Sequence, residues 1–119
     1  MLTLPPSVRV FLALETFDMR GSFDALAGRV RGLSLDPLDG HLYMFLNQRR
    51  TMVKLLFFDR TGYCVLSKRL ARGTFQLPEV AEGTRQIRVD SGVLAMILEG
   101  VDLRAPRRNR LWNFRATGE

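Results

Sequence analysis

The chain has 119 residues, of which 46% are hydrophobic and 25% are charged, and its formal net charge is +6. These values predict one globular domain with its own hydrophobic core and exclude an intrinsically disordered chain. The single cysteine excludes an internal disulfide framework. No stretch approaches the roughly 20 apolar residues of a membrane span, and the first residues do not resemble a signal peptide. We therefore expect a cytoplasmic protein.

The first third of the chain predicts a strand followed by a helix. Residues 8–15 are apolar at nearly every position and β-rich, which is typical of a short strand. Ser22 is the expected N-cap of the helix, and Asp24 in the first turn suits the helix dipole. Gly32 is the expected C′ residue. The apolar face of the helix is formed by Phe23, Leu26, Ala27 and Val30.

Three strands with short connections are expected next, at residues 41–47, 52–59 and 63–70. Connections this short require antiparallel pairing, so we expect a meander. In the second connection, Gly62 is expected to take the positive φ of a type I turn with a bulge.

The last predicted elements are a short strand at residues 86–89 and a second helix. Ser91 is the expected N-cap of this helix, and Gly100 is expected to end it. The predicted fold class is α+β, with an antiparallel meander sheet of four to five strands and two helices. This single domain is expected to span residues 1–103, followed by a basic, flexible tail at residues 104–119.

Positive charge is concentrated in two windows of the sequence. Residues 49–72 contain seven basic residues and one acid, and residues 104–115 contain five arginines and no acid. The remainder of the chain is net acidic, with six basic and eleven acidic residues. Clustered cations on a folded surface favour nucleic acid as a partner, whereas a surface that serves only solubility is the alternative.

The sequence contains few residues that could form a catalytic site, a metal site or a cofactor site. The only histidine is His41 and the only cysteine is Cys64, so the chain has too few Cys and His side chains for a metal site built from them. Cys64 lies on a predicted apolar strand and is expected to be a small buried hydrophobic residue. The chain has no glycine-rich phosphate loop. Carboxylates could hold Mg²⁺, but helix and turn roles explain most of them and their spacing does not bring them together. The candidates are Asp18, Asp24, Asp59 and Glu99. We predict no catalytic residue, no metal site and no cofactor.

The predicted strand at 52–59 is apolar on both faces. Lys54 shares one face with Met52, Leu56 and Phe58, because side chains alternate along a strand. We expect the strand to be covered on both sides, by the helices on one face and by another chain or a loop on the other. Phe57 and Phe58 are then core residues and not base-stacking platforms. Association with a protein partner is thus an alternative to nucleic-acid binding.

Three sequence blocks, at residues 8–31, 35–78 and 94–104, carry a family resemblance through their content and their order along the chain. They contain a DMR block, an FLNQRR block followed by Lys54 and Asp59, and a KRLARGTF block. In this order they resemble the TnpB accessory proteins of IS66-type bacterial insertion sequences, encoded by the second open reading frame. The chain departs from the family pattern at three places: Gly21-Ser22 replaces a Lys-Gly pair, Phe58 replaces a Trp, and Ser67 replaces an aromatic residue. The matching positions are Asp18, Arg20, Asn47, Arg49, Arg50, Lys54, Asp59, Gly62, Lys68, Arg69 and Gly73.

The resemblance implies a non-enzymatic role in transposition, beside a separate and larger transposase. The expected partners are DNA at the ends of the element, the transposase and a second copy of the chain, with no membrane and no small-molecule substrate. Such a bacterial protein would be cytoplasmic and associated with the nucleoid when on DNA. The main alternative is a scaffold that assembles the transposase complex without touching DNA; a further one is Mg²⁺-dependent cleavage through Asp59. The candidate DNA contacts are Arg49, Arg50, Lys54, Lys68, Arg69, Arg72, Arg107, Arg108 and Arg110.

Overall fold

A computed structural model of the chain describes residues 7–100, in which a five-stranded sheet lies between two helices. The strand order across the sheet is β4-β3-β2-β1-β5. The predicted α+β class, the meander and both helices are confirmed. The predicted domain end at residue 103 and the predicted tail lie outside the described residues. The elements are β1 (Val10–Ala13), α1 (Phe23–Gly32), β2 (Leu42–Leu46), β3 (Met52–Phe58), β4 (Tyr63–Arg69), β5 (Gln86–Val89) and α2 (Ser91–Glu99).

One strand pair of the sheet is parallel. β2, β3 and β4 form the antiparallel meander, and β5 pairs antiparallel with β1. β1 and β2 run parallel, with Val10 opposite Leu42 and Leu12 opposite Met44. Parallel neighbours need a crossover connection, and α1 lies in that connection. β1 and β2 therefore finish at the same end of the sheet, which is also the end where β3 begins.

The two helices cover opposite faces of the sheet, which corrects the expectation that both lie on one face. On one face α1 packs on Tyr43, Phe45 and Leu56. On the other face α2 and Phe75 pack on a cluster that includes Val53 and Leu55, which we call the α2-side core. β3 is therefore covered on both faces by its own chain, and its two apolar faces need no second chain. Phe57 and Phe58 are half-buried and lie at the margin of the core.

The helix ends differ in part from the prediction. Ser22 is the N-cap of α1, but its side chain accepts no hydrogen bond there. The N-cap of α2 is Asp90, not Ser91, because the Asp90 carboxylate accepts a 2.8 Å hydrogen bond from the backbone N–H of Val93. Gly100 ends α2 with a φ of 78°, as expected. 

Two glycines do not take the expected left-handed conformation. Gly32 is the last residue of α1, and the nearby residue with positive φ is Ser34. In the β3–β4 turn the positive φ, 89°, falls on Arg60 instead of Gly62. There the Asp59 carboxylate accepts hydrogen bonds from the backbone N–H groups of Thr61 and Gly62, both at 3.1 Å. These bonds close the turn around Arg60, and they confirm Asp59 as a turn residue.

Tyr43 joins the α1 side of the core to the loop before β2. Its side chain is 1% exposed, and its hydroxyl donates to the Asp36 carbonyl oxygen at 3.0 Å and to the Asp39 carboxylate. Burial first, and then the hydrogen bond to the Asp39 carboxylate, raise the pKa of Tyr43 far above its ordinary value.

We expect the free energy of unfolding to fall as the pH rises above about 10, the ordinary pKa of tyrosine. The folded-state pKa of Tyr43 is raised, so its contribution is complete below the unfolded-state pKa and is lost as the pH rises toward the folded value. Urea unfolding between about pH 8 and pH 11 measures the effect. Tyr43→Phe is the matched control, because it cannot ionise and should lose less stability over this interval. An equal loss in both proteins would contradict the prediction.

Candidate nucleic-acid interface

Backbone hydrogen bonds join three loops at the end of the sheet where β2 finishes and β3 begins. The segment after β4 is tied to the β2–β3 turn at two points: the Leu70 N–H donates to the Thr51 carbonyl oxygen at 2.9 Å, and the Phe75 N–H to that of Arg50 at 2.7 Å. The loop between β1 and α1 is tied to β2 by a 2.9 Å bond from the Phe17 N–H to the Leu46 carbonyl oxygen. The backbone of these loops is therefore held in one arrangement, which determines where their side chains leave the surface.

Asn47 shapes the β2–β3 turn. Its side-chain oxygen accepts hydrogen bonds from the backbone N–H groups of Thr51 at 2.9 Å and Met52 at 3.0 Å. The backbone N–H of Arg50 donates to the Asn47 carbonyl oxygen at 3.0 Å, and Arg50 has a φ of 56°. Arg49 and Arg50 in this closed turn both have exposed side chains.

Four arginines form what we call the basic end: Arg49, Arg50, Arg69 and Arg72. Arg69 is opposite Met52, the first residue of β3, so it lies on the strand next to the turn that carries Arg49 and Arg50. Arg72 lies in the segment that is bonded to this turn at Leu70 and Phe75. All four arginines are exposed, and none forms an ion pair within residues 7–100. The fold thus brings together four of the predicted DNA contacts.

The two lysines among the candidate DNA contacts have partners inside the protein. Lys54 lies on the α1 face of β3 and donates to the carbonyl oxygens of Met19 at 2.8 Å and Gly21 at 3.0 Å. Lys68 donates to the Leu98 carbonyl oxygen at 2.6 Å, at the negative end of the α2 dipole. These contacts give both lysines a structural role. The other three candidates, Arg107, Arg108 and Arg110, lie outside the described residues.

Two acidic side chains in the loop between β1 and α1 form ion pairs. Asp18 binds Arg20 at 2.7 Å, and the hydrogen bonds from Arg20 lower the pKa of Asp18 to about 2. Glu15 binds Arg85 at 2.9 Å and Arg29 at 3.4 Å, and the hydrogen bond from Arg85 is the main reason that its pKa is lowered. Sequence reasoning missed the two Glu15 pairs because the partners lie 14 and 70 residues away, and it also did not identify the local Asp18–Arg20 pair.

A sequence signal for the Lys54 contact did exist. Lys54 alternates with apolar residues on a strand that the sequence predicts to be covered on both faces, and a half-buried ammonium group must find hydrogen-bond acceptors. The acceptors belong to the DMR block, which comes 33 to 35 residues earlier. Two of the blocks that carry the family resemblance are therefore joined by a structural contact, and the DMR block lies in the loop that Lys54 holds.

His41 and Cys64, the only histidine and the only cysteine of the sequence, have structural partners. His41 accepts a 2.9 Å hydrogen bond from the Arg9 N–H through Nδ1. Cys64 is half-buried on β4, and burial and then the nearby Asp59 carboxylate raise the pKa of its thiol, which disfavours the reactive thiolate. Within residues 7–100, no three His, Cys, Asp or Glu side chains lie together as possible metal ligands. No helix of this part of the chain has the length and hydropathy of a membrane span.

Comparison with known proteins identifies the family of this chain. The model of the family described as IS66 Orf2-like protein matches residues 8–108. The uncharacterised protein y4hO of Sinorhizobium fredii is 38% identical over 108 residues, which cover 90% of this chain and 92% of that protein. A second protein of that bacterium, y4jC, is 24% identical over 96 residues, or 80% of each chain. No solved structure matches the chain. The family match takes in every strand, both helices and the basic end, and the chain therefore belongs to the IS66 Orf2-like (TnpB) family of transposition-associated accessory proteins.

Proposed function

We propose that the protein serves transposition without catalysing a reaction, by binding DNA through the basic end. The observation that carries this proposal is a group of four exposed arginines that form no ion pair within residues 7–100. They lie on the β2–β3 turn, at the end of β4 and in the segment after it, and backbone hydrogen bonds join these parts of the chain. Guanidinium groups form charge-assisted and often bidentate hydrogen bonds with phosphate oxygens. Because the surrounding backbone is tied together by hydrogen bonds, little backbone freedom is lost when the arginines contact a phosphate backbone.

The size of the basic end suits several phosphates. Neighbouring strands lie about 5 Å apart, so arginines on two adjacent strand ends and the loop beside them extend over roughly 10 Å. Phosphates recur about every 3.4 Å of helix axis along one DNA strand, so this surface can contact more than one. Phosphate contacts position a protein without reading the sequence. Binding at the ends of the element then requires a second source of specificity, and the transposase of the same element is the partner that the family implies.

The proposal predicts a salt-dependent affinity that the basic end controls. Each phosphate contact contributes about 0.9 to the magnitude of the slope of log affinity against log salt. Changing Arg49, Arg50, Arg69 and Arg72 together to alanine should therefore reduce this slope by about 3 to 4 units and lower the affinity at low salt at least about tenfold. Fluorescence anisotropy on labelled duplex DNA from the ends of the element measures both quantities.

A control with the same charge loss is available elsewhere on the surface. Arg9, Arg31, Arg60 and Arg88 are exposed, and they lie outside the basic end and outside the ion pairs within the described residues. Changing these four to alanine should leave the salt slope close to that of the unchanged protein. Equal losses in the two variants, or no binding by the unchanged protein at low salt, would refute the proposal.

The scaffold alternative loses its main support in the structure. It depended on the two apolar faces of β3, which α1 and the α2-side core cover within the same chain. Recovery of the transposase with this protein at high salt, without DNA, would favour the scaffold. Cleavage through Asp59 is also disfavoured, because its carboxylate is engaged by the backbone of the β3–β4 turn.

A further inference from the structure

An apolar groove lies between β4 and α2, on the opposite face of the sheet from α1. Its volume is about 510 Å³, and its floor is formed by Val53 and Leu55 of β3. Leu66 forms one wall and Ala95 and Leu98 of α2 form the other. Leu66 is 45% exposed, although Leu55, its partner in the strand register, is completely buried. The groove thus exposes a large apolar side chain beside the core.

The chain leaves α2 at the rim of this groove. The Lys68 ammonium donates to the Leu98 carbonyl oxygen at 2.6 Å and so fixes the last turn of α2 against β4. Gly100 ends the helix in the left-handed conformation, with a φ of 78°. A Cβ atom built on Gly100 would lie 4.0 Å from Cδ2 of Leu70, which places Gly100 beside the end of β4. The 19 residues that follow Gly100 in the sequence therefore start at the groove.

The composition of residues 101–119 suits this groove. They contain a compact apolar group, Leu111, Trp112 and Phe114, together with five arginines and two acids. Leu111 follows Gly100 at a separation of eleven residues, which can span up to about 35 Å, so the apolar group can turn back to the groove. The Glu99 carboxylate, which is exposed at the rim, forms no ion pair within residues 7–100 and would complement the arginines.

We propose that this groove receives Leu111, Trp112 and Phe114 of the same chain. A tethered segment acts at an effective concentration of about millimolar. A second copy of the protein would have to bury roughly 1,000 Å² or more to form a stable interface, which a single groove of this size does not supply. Docking at this position would hold Arg107, Arg108 and Arg110 near β4, the strand that ends with Arg69 of the basic end.

Trp112 is the only tryptophan of the chain, so its fluorescence reports on this proposal directly. In the full-length protein we expect a blue-shifted emission and slow quenching by acrylamide, because docking removes the indole from water. Leu66→Asp introduces a carboxylate at the groove and should shift the emission to the red and raise the quenching constant at least about twofold. Leu38→Asp is the matched control: Leu38 is 52% exposed and does not line the groove, so the signal should not change.

A second variant and a dilution series complete the test. Ala95→Glu changes the opposite wall of the groove and should reproduce the red shift, while far-UV circular dichroism verifies that each variant is folded. The proposal is overturned if the unchanged protein shows the emission of an exposed indole, or if neither groove variant alters it. A blue-shifted emission that moves to the red on dilution would identify a second copy as the occupant and would equally overturn the proposal. None of these measurements involves DNA, so they are independent of the proposed function.

Discussion

Replacing Phe75 with alanine should lower the free energy of unfolding by about 3–5 kcal/mol. Phe75 is completely buried, although it belongs to the irregular segment between β4 and β5. Its ring packs in the α2-side core with residues such as Val53 and Leu94. Truncation removes the transfer free energy of the ring and leaves a cavity between sheet and helix, and these two losses add. Urea unfolding followed by far-UV circular dichroism measures the change.

Phe23→Ala is the matched control for this prediction. Phe23 is 44% exposed at the start of α1, so the same truncation there should change the free energy of unfolding by less than about 1 kcal/mol. Equal losses in the two variants would show that Phe75 does not anchor the segment. The backbone N–H of residue 75, which donates to the Arg50 carbonyl oxygen, is retained in the alanine variant. Where the Phe75 variant is folded, its salt slope on DNA should therefore match that of the unchanged protein.

The burial of Phe75 gives a physical reason for the KRLARGTF block. Leu70 and Phe75 bond to the β2–β3 turn, and Gly73 between them has a φ of 71°, a conformation that strongly favours glycine. The block thus folds the chain after β4 back against Arg50 and inserts the Phe75 ring into the core. Gly73 therefore serves the geometry of this turn. The same contacts that stabilise the fold hold Arg72 next to the β2–β3 turn.

The parts of the fold that depend on local pattern could be predicted from the sequence. Residues 52–58 and 63–69 are two short strand-like runs joined by only four residues, so their antiparallel pairing is determined locally. The parallel pairing of β1 with β2 could not be predicted this way, because the partners are about 30 residues apart and the pattern does not specify which neighbour β1 chooses. The α2 N-cap was misassigned for a simpler reason: Asp90 and Ser91 are adjacent and both are good capping residues.

Part of the candidate site could also be predicted, because it depends on the short connections between neighbouring strands. A meander necessarily places the β2–β3 turn and the end of β4 at the same end of the sheet, so Arg49, Arg50 and Arg69 could be expected to lie near one another. Counting charges could not separate these arginines from Lys54 and Lys68. Whether a cation faces solvent or a backbone carbonyl depends on contacts with residues about 30 positions away.

This distinction between cations leads to the second large effect that we expect. Lys54→Met should lower the free energy of unfolding by about 2–3 kcal/mol, because it removes two charge-assisted hydrogen bonds and leaves the carbonyl oxygens of Met19 and Gly21 without this donor. Methionine keeps most of the apolar stem, so the loss reports on the ammonium group rather than on packing. Urea unfolding measures the stability, and hydrogen exchange at residues 18–22 should show the loop opening more often.

Arg49→Met is the matched control, because it removes the same charge from an exposed side chain outside the ion pairs of the described residues. It should change the free energy of unfolding by no more than about 0.5 kcal/mol. On DNA the two variants should behave in the opposite way. Arg49→Met should reduce the magnitude of the salt slope by about 0.9, whereas folded Lys54→Met should leave the slope unchanged. A Lys54 variant with unchanged stability and a reduced slope would show instead that this ammonium group contacts phosphate, and that the cation on β3 belongs to the DNA surface.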